Sequence, residues 1–271
     1  MKKNYTVTKK ENLVHFLSSV SIGISKNRIL SQIKRGEAKV NGQKVLNDVQ
    51  LNVGDVVSFF IPADLEKEVE IVYQDKNIVI FDKPIHTDVE GGLTNRAIEL
   101  FGYAKPVHRL DRNTMGLVVF ALNEDTYDQL LKAFKEKRVE KEYIAKTVGK
   151  VNDGIYQAYL FKDSKQSKVY IYTSQKQGSL PIKTGVQFET NADINIARIK
   201  LYTGRTHQIR AHLSYLGCPV LGDEKYGNIQ ANKKYNLHYQ QLKSVKIVFD
   251  GLCSPLEYLN NKVFLANEKL D

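Results

Sequence analysis

Apolar positions in the first thirty-six residues predict two short amphipathic helices. Four apolar side chains recur at the i, i+3, i+4 and i+7 spacing of a single helix face: Leu13, Phe16, Leu17 and Val20. A second helix is expected to begin with Ser25 as its N-cap and to end at Gly36, which tolerates the left-handed conformation of a helix C-terminus. Its buried face is predicted to consist of Ile29, Leu30 and Ile33.

The pattern then changes to short strands. Residues 37–40 and 43–46 flank the turn pair Asn41 and Gly42, which is a typical hairpin signal, and residues 53–60 predict a further strand. Residues 63–69 are polar and charged and are expected to form a linker. We therefore predict a small N-terminal domain over residues 1–64 and a larger domain over residues 69–271.

The larger domain is predicted to be dominated by strands. Residues 71–73 and 78–81 alternate as a strand pair, and Asn123 can cap a helix. The buried face of that helix is expected to be Tyr127, Leu130, Leu131 and Phe134. Tyrosine-rich and β-branched stretches predict further strands at residues 155–161, 168–173, 183–189 and 194–202. The fold class is therefore α+β, with a largely antiparallel sheet flanked by helices.

Charge adds a polyanionic partner to this picture. The 271 residues carry a formal net charge of +10, and clustered Lys and Arg gain affinity for phosphates by releasing counterions. Residues 1–62 hold ten Lys or Arg against four Asp or Glu, a surplus of six. The N-terminal segment is thus the expected electrostatic footprint.

The sequence argues against a membrane or secreted location and against disulfide or zinc sites. The sequence has no apolar run long enough to cross a bilayer, and its first ten residues lack the apolar stretch of a secretory signal, so a cytoplasmic protein is expected. Cys218 and Cys253 lie far apart and in no Cys-x-x-Cys pair. We expect both to be packing residues, and we expect neither a disulfide framework nor a zinc site.

The N-terminal segment SKNRILSQIKRGEAKVNGQKV, followed by VGDVVSF, resembles the alpha-L RNA-binding module first named from a ribosomal small-subunit protein. The resemblance covers about fifty residues and implies that the basic helix face lies against RNA phosphates. The residues expected to do so are Lys26, Arg28, Lys34, Arg35 and Lys39. The alternative is a solvated basic face without a ligand.

The segment HRLDRNTMGLVVFA at residues 108–121 is the most informative candidate for chemistry. It places Asp111 between Arg109 and Arg112, directly before an apolar strand. Positive neighbours favour the ionised carboxylate and keep it available as a base or nucleophile. Taken alone, such a cluster also fits a structural ion pair.

A second segment, TGRTHQIRAHLSYLGCPVLGDEKYG, spans residues 203–227. It places Arg205 at the start of a helix, where a guanidinium could clamp a carboxylate or phosphate. The buried face of this helix is predicted to be Ile209, Leu213 and Leu216. The alternative is a polar face formed by His207, Arg210 and His212; the two histidines are five residues apart, which does not fit zinc ligation.

These segments, together with the strand start EKEYIA at residues 140–145, resemble the RluA-type pseudouridine synthases. The match extends from about Val69 to Tyr258 and rests on the joint occurrence of HRLDR-x-T-x-G, K-x-Y-x-A and GRTHQIR-x-H. By this resemblance, Asp111 is the essential aspartate, Tyr143 packs on the target base, and Arg205 pairs with the aspartate. By itself, a tyrosine at position 143 could simply pack in the sheet.

The resemblance also implies a central RNA cleft. Arg109 matches the position that can enter the RNA where the target nucleotide is displaced, and Arg112 is expected to contact RNA. The remaining matched residues, expected to shape the catalytic loop without chemistry of their own, are His108, Thr114 and Gly116.

Two positions depart from the pattern. Met115 stands where the family usually has a small residue, which would alter packing behind the loop. Residues 85–88, Ile-His-Thr-Asp, stand where the family usually shows Ala-Gly and then an apolar residue with His. We expect the second departure to alter RNA contacts at the rim of the cleft.

The resulting expectation is a monomeric RNA pseudouridine synthase that acts on structured RNA, with large-subunit ribosomal RNA favoured and transfer RNA as the alternative. Isomerisation needs no redox partner or group donor, and no metal or cofactor motif is present in the sequence. Two other classes stay open. One is a non-catalytic RNA-binding or ribosome-assembly factor. The other is a hydrolase, although no second carboxylate or metal cluster forms a recognisable motif.

Overall fold

The structure is a computed structural model that describes residues 2–61, 68–189 and 194–270. Strands and helices follow one another in an α+β arrangement, as predicted. The predicted linker lies largely outside the described residues, which include only residues 68 and 69 of it.

The N-terminal unit contains a four-stranded antiparallel sheet and two helices. The sheet has the order β1-β6-β3-β4. Its strands are β1 (Lys2–Thr6), β3 (Ala38–Val40), β4 (Gln43–Val45) and β6 (Val56–Phe60). A separate two-residue pair is formed by β2 (Glu11–Asn12) and β5 (Gln50–Leu51). The helices are α1 (Leu13–Val20) and α2 (Lys26–Lys34).

Local signals in the sequence of this unit are confirmed. The Ser25 side chain caps α2 by accepting a hydrogen bond from the Arg28 amide, and Gly36 follows the helix at a φ of 80°. Asn41 and Gly42 both have positive φ, which is the backbone that a tight two-residue hairpin requires. The apolar faces of both helices meet the sheet in one core that includes Leu17, Ile29 and Phe59.

The larger unit is built on an eleven-stranded sheet. Its main path has the order β13-β12-β14-β15-β11-β16-β10-β8-β7, with β9 added to β10 and β17 added to β16. The strands are β7 (Glu70–Gln74), β8 (Ile78–Lys83), β9 (Lys105–Pro106), β10 (Met115–Ala121), β11 (Val139–Val148), β12 (Gly154–Asp163), β13 (Lys168–Tyr172), β14 (Leu180–Phe188), β15 (Ile194–Leu201), β16 (Leu242–Phe249) and β17 (Val263–Leu265). Of the described pairings in this sheet, β10 with β16 is parallel and the others are antiparallel.

Successive side chains of a strand point to opposite faces of the sheet, and in the central strands both faces are buried. Phe81 of β8 and Phe120 of β10 enter one core, while Ile80 and Val119 enter the other. Helices cover the two faces of the sheet. A π-helical turn, Val89–Leu93, leads into the first of these helices. The helices are α3 (Thr94–Phe101), α4 (Glu124–Lys135), α5 (Gln208–Tyr215), α6 (Ile229–Lys234) and a short 3-10 turn at Glu257–Leu259.

Three sequence expectations in this unit are wrong in detail. Leu131 of α4 is 43% exposed. The buried face of this helix consists of Thr126, Leu130 and Ala133. Cys218 is buried as predicted, but Cys253 is exposed and is therefore no packing residue. The helix expected to start at Arg205 starts at Gln208.

The two units contact each other through Thr87, Arg112 and the π-helical turn Val89–Leu93. The Gly23 amide donates a hydrogen bond to Thr87 Oγ1 at 2.9 Å, and Arg112 Nη2 donates to the Ile24 carbonyl at 3.0 Å. A Cβ added at Gly91 would lie 2.1 Å from the Ser19 carbonyl oxygen. The π-helical turn thus approaches the end of α1 at a distance that only glycine permits.

The residues of this interface are buried. Ile85, His86 and Thr87 are 7%, 8% and 0% exposed. The expectation that residues 85–88 form the rim of a cleft is therefore wrong for these three residues. Thr87 contacts Gly23 of the N-terminal unit, whereas His86 packs against Asn113 and Tyr239 of the larger unit.

No helix within residues 2–61, 68–189 and 194–270 is long and apolar enough to span a membrane.

Candidate active site

Asp111 lies in a short loop directly before β10, and several contacts fix the shape of that loop. The Thr114 amide closes a turn onto the Asp111 carbonyl at 2.9 Å, and Gln240 Nε2 donates to Thr114 Oγ1 at 2.7 Å. Gly116 has a φ of 107°, and a Cβ there would lie 2.1 Å from the Ser244 carbonyl oxygen. The glycine therefore lets the loop run close against β16.

Lys83 holds the same loop from below. Its ammonium group is fully buried and donates to the carbonyl oxygens of Pro84, Thr87 and Arg112 at 3.2, 2.9 and 3.1 Å. Three acceptors match the three protons of an ammonium group. Burial lowers the pKa of Lys83 to about 7, against the opposing charge of Asp111.

Arg210, rather than Arg205, pairs with Asp111. Its Nη1 donates to Asp111 Oδ2 at 2.7 Å, and the Arg210 side chain is 10% exposed. Arg205 precedes the helix, is exposed, and uses its backbone amide to donate to Gln208 Oε1. The prediction of an Arg205–Asp111 pair is thus corrected. The backbone turns at His207, which has a φ of 52°, and this turn places Arg210 inside the site.

Asp223 holds the other side of the Arg210 guanidinium. Arg210 Nε and Nη2 donate to the two Asp223 oxygens at 2.6 and 3.0 Å, a bidentate pair with no exposed carboxylate. Burial acts to raise the pKa of Asp223, but the Arg210 hydrogen bonds and charge outweigh it and hold that pKa below its usual range. The guanidinium is therefore fixed before any substrate binds.

Sequence reasoning missed Asp223, although the residue lies in the quoted segment. Its Oδ1 also accepts hydrogen bonds from the amides of Lys225 and Tyr226, in the turn that the motif Gly-Asp-Glu-Lys-Tyr-Gly forms. A Cβ at Gly227 would lie 2.2 Å from the Asp223 carbonyl oxygen. An aspartate within a glycine-bounded turn was the available signal, but nothing in the pattern connects it to Arg210.

Tyr143 lies on β11 beside Asp111. The register between β11 and β16 shifts between Glu142 and Tyr143, and such a bulge re-aims the side chain that follows it. The tyrosine is 6% exposed and lines the same cavity as Asp111. Burial raises its pKa to about 12, so the hydroxyl is protonated at neutral pH.

His207 completes the surroundings of the carboxylate. Its Nε2 lies 3.9 Å from Asp111 Oδ2, and its Nδ1 is 2.9 Å from the Tyr226 hydroxyl. Burial lowers the pKa of His207, although the Asp111 charge opposes this. His212, by contrast, is completely buried against Thr184, with its Nδ1 3.0 Å from the Thr184 hydroxyl oxygen. The alternative of a polar face formed by both histidines is therefore wrong.

These groups line a cleft of about 810 Å³. Asp111, Tyr143, His207 and Arg210 lie in its wall, and Arg205 and Arg109 are exposed at it. Arg109 is held by an exposed ion pair with Glu90 at 2.9 Å. The cleft therefore combines a carboxylate paired with Arg210, a buried aromatic ring and two accessible guanidinium groups.

The remaining predicted RNA-binding residues are divided between two situations. Arg112 is half-buried and directed at Ile24 of the N-terminal unit, so its guanidinium is engaged by protein rather than presented in the cleft. The N-terminal cations are all exposed: Lys26, Arg28, Lys34, Arg35 and Lys39.

The residues expected to shape the loop do contact it or its strand. His108 Nε2 accepts from the Val119 amide at 3.1 Å, and its ring stacks on Phe134 at a centroid distance of 4.7 Å. Met115, one of the two departures, is 5% exposed and begins β10 beside Lys243 of β16. Its longer side chain is accommodated in the packing behind the loop.

Within residues 2–61, 68–189 and 194–270, no group of three or more His, Cys, Asp or Glu side chains is placed to bind a metal ion.

Comparisons with known proteins agree on one family. Residues 77–215 match the family described as RNA pseudouridylate synthase. Ribosomal large subunit pseudouridine synthase C of Vibrio parahaemolyticus is 31% identical over 246 residues, which cover 80% of this chain and 77% of that protein. The Escherichia coli protein of the same name is 30% identical over 251 residues, 83% of this chain and 78% of that protein.

A Bacillus subtilis protein described as an uncharacterized RNA pseudouridine synthase is 28% identical over 268 residues, covering 89% of this chain and 86% of that protein. Among solved structures, a human RNA pseudouridylate synthase domain superposes with a TM-score of 0.60 at 24% identity. The superposition covers 74% of this chain and 91% of that chain, and it supports the fold.

Proposed function

The chain belongs to the RNA pseudouridylate synthase family and is an RNA pseudouridine synthase, and from that premise we propose that it modifies uridines of large-subunit ribosomal RNA with Asp111 as the catalytic residue. The observation that carries the role of Asp111 is the chain of ion pairs from Asp223 through Arg210 to Asp111 at the wall of the cleft. The names of the bacterial relatives support ribosomal RNA as the substrate class.

The reaction conserves every atom of the nucleoside. The bond between uracil N1 and ribose C1′ breaks, the base turns, and a bond from uracil C5 to C1′ forms. The hydrogen on C5 leaves as a proton, and N1 gains one. Asp111 acts in its ionised form, either by attack on the sugar or base or by removal of a sugar proton, and both routes need the carboxylate that Arg210 orients.

Tyr143 and Arg109 supply what a displaced base needs. An enzyme that works on both faces of a base must take it out of its stack and hold it against a platform. Tyr143 offers an aromatic ring in the cleft wall. Arg109 is exposed and tied to Glu90 by a solvated ion pair, which costs little to break when RNA enters.

The N-terminal unit, residues 1–64, extends the RNA contact in this proposal, and residues 69–271 carry the reaction. The RNA contact of the N-terminal unit is supported by the five exposed cations on and after α2. Among the described residues, none of these cations has a carboxylate partner. The proposal also places the enzyme in the cytoplasm as a monomer without a cofactor.

The substrate class is tested by tritium release from RNA labelled at uracil C5. Large-subunit ribosomal RNA and transfer RNA are prepared from cells that lack the protein, so that its sites are unmodified. Release from the ribosomal RNA is expected, with none from transfer RNA above the level of the Asp111→Asn variant. Release from transfer RNA alone would overturn the substrate assignment and leave the reaction intact.

A further inference from the structure

A second cavity, of about 670 Å³, opens beside the catalytic cleft. Its walls come from the start of β11, the start of β14 and the end of β15. It shares with the cleft residues 201–203, Lys137, Val139, Lys141 and Arg205. The two cavities are therefore adjacent, and the shared residues border both of them.

The second cavity is strongly cationic. Its six cationic side chains face two carboxylates, Glu140 and Asp250. The cations are Lys137, Arg138, Lys141, Lys183, Lys200 and Arg205. Glu140 is engaged by Lys200 at 2.5 Å, and Arg138 pairs with Glu136 outside the lining at 2.8 Å.

Four of these cations are left to meet a ligand. Lys137, Lys141, Lys183 and Arg205 have no carboxylate partner among the residues that the structure describes. Concentrated positive charge in a concave site attracts polyanions and binds their phosphates with release of counterions. The charge therefore favours an anionic ligand such as a phosphate group over a metal cation.

An aromatic side chain lies among these cations. Tyr202 lines both cavities and is half-exposed, and Lys183 Nζ lies 4.7 Å from its ring centroid. Proteins bind single-stranded nucleic acid with this combination, in which bases stack on aromatic rings and cations track the backbone. The two features together favour a nucleotide over a free phosphate as the ligand.

We propose that the second cavity binds an RNA nucleotide next to the target uridine, with its base at Tyr202 and its phosphate at Lys183 and Arg205. The inference rests on the proposed function, since it takes the strand in the cleft to be substrate RNA. It adds a subsite that reads the strand flanking the target. The flanking nucleotide is single-stranded in this complex, because only an unpaired base can stack on the ring.

The test compares two RNAs and two charge reversals. One RNA stem-loop carries the target uridine with its natural flanking strands, and a second set ends at the target on either side. Binding is measured by fluorescence anisotropy in the Asp111→Asn background over a range of salt concentrations. Lys183→Glu is matched by Lys262→Glu, because Lys262 also lies over a tyrosine, Tyr73, but lines neither cavity.

Lys183→Glu is expected to weaken binding of the full RNA about tenfold and to lower the slope of log affinity against log salt by about 0.7, the contribution of one single-strand phosphate. Tyr202→Leu weakens the same complex without changing that slope. For the truncated RNA that lacks the bound flank, Lys183→Glu and the parent bind alike. Lys262→Glu matches the parent for every RNA.

Two results would overturn the subsite. One is wild-type affinity and slope for Lys183→Glu on the full RNA. The other is an equal loss on full and truncated RNAs, which would mean a general charge effect. Absence of isomerisation by the wild type would instead refute the proposed function, and the binding comparison would still decide the subsite.

Discussion

At the scale of single residues, the site depends on which arginine reaches Asp111. Both Arg205 and Arg210 occur in the segment Gly-Arg-Thr-His-Gln-Ile-Arg, and the sequence offers no local reason to prefer either. The choice is made by the left-handed backbone at His207 and by Asp223, which lies 13 residues beyond Arg210. Tertiary contacts of this kind leave no periodic trace in the sequence.

Substitutions of the two arginines are expected to affect kcat and KM differently. Arg210→Lys keeps the charge but cannot bind Asp223 bidentately while reaching Asp111, so kcat is expected to fall about 100-fold or more. Arg205→Lys is expected to change kcat by less than about threefold and to act mainly on KM, because Arg205 is exposed at the cleft. Steady-state kinetics by tritium release measure both. The reverse ranking in kcat would restore the Arg205–Asp111 pair.

His212 predicts a pH effect on stability. Burial lowers its folded-state pKa to about 4, while the unfolded chain titrates at about 6.5. The unfolded state therefore binds more protons between these pH values, and His212 contributes stability above pH 6.5 that is lost as pH falls towards 4. The largest slope from one such group is about 1.4 kcal/mol per pH unit.

Urea unfolding of the wild type and of His212→Gln at several pH values from 7 to 4.5 measures this contribution. The variant is expected to lose less free energy of unfolding per pH unit than the wild type, because glutamine does not titrate. Parallel curves for the two proteins would show that His212 is not the buried neutral group described.

At the scale of elements, the sequence was informative where local rules decide the structure. Ser25 and Asn123 cap their helices through their side chains, and Asn41 with Gly42 forms the hairpin turn. The missing information was long-range. The strand β16 was not predicted, yet it lies between β10 and β11 in the sheet and thereby connects the strand after Asp111 to the strand of Tyr143.

Gly116 tests how strongly β16 fixes the catalytic loop. In Gly116→Ala, the new Cβ would lie 2.1 Å from the Ser244 carbonyl oxygen, and the alanine would have to adopt a positive φ. We expect a loss of about 2–4 kcal/mol in the free energy of unfolding, together with lower kcat, because the strand pairing must shift.

Gly42→Ala is the matched control. Gly42 also has a positive φ, of 81°, but a Cβ there meets nothing within 4 Å. Only the backbone strain remains, and the expected loss is about 1 kcal/mol with unchanged kcat. Chemical denaturation and tritium release are run on both variants. Equal losses would mean that the approach of Gly116 to Ser244 is not close.

At the scale of the whole molecule, the N-terminal unit meets the loop that carries Asp111. Thr87 and Arg112 contact its backbone at Gly23 and Ile24. No pattern in the sequence indicated this interface, because it pairs side chains of one unit with backbone atoms of the other. Within the departing residues 85–88, Thr87 makes the contact with the N-terminal unit.

The proposed role of the N-terminal cations predicts a salt effect. Lys34→Glu with Arg35→Glu is expected to weaken RNA binding and to reduce the salt slope by about 0.7–0.9 for each RNA phosphate that the variant no longer neutralises. The same change of charge at exposed positions outside both cavities, Lys76→Glu with Lys262→Glu, serves as the control. Equal effects of the two double variants would remove the basis for RNA binding at α2.

In the proposed mechanism, the Asp111 carboxylate, held by Arg210, performs the isomerisation. Tritium release from uracil C5 of ribosomal RNA, measured for the wild type and for Asp111→Asn at matched RNA affinity, tests it most directly. The account predicts release by the wild type and a decrease of more than about 1,000-fold in the variant, since an amide can neither attack nor accept the proton. Turnover by Asp111→Asn within about tenfold of the wild type would contradict the account.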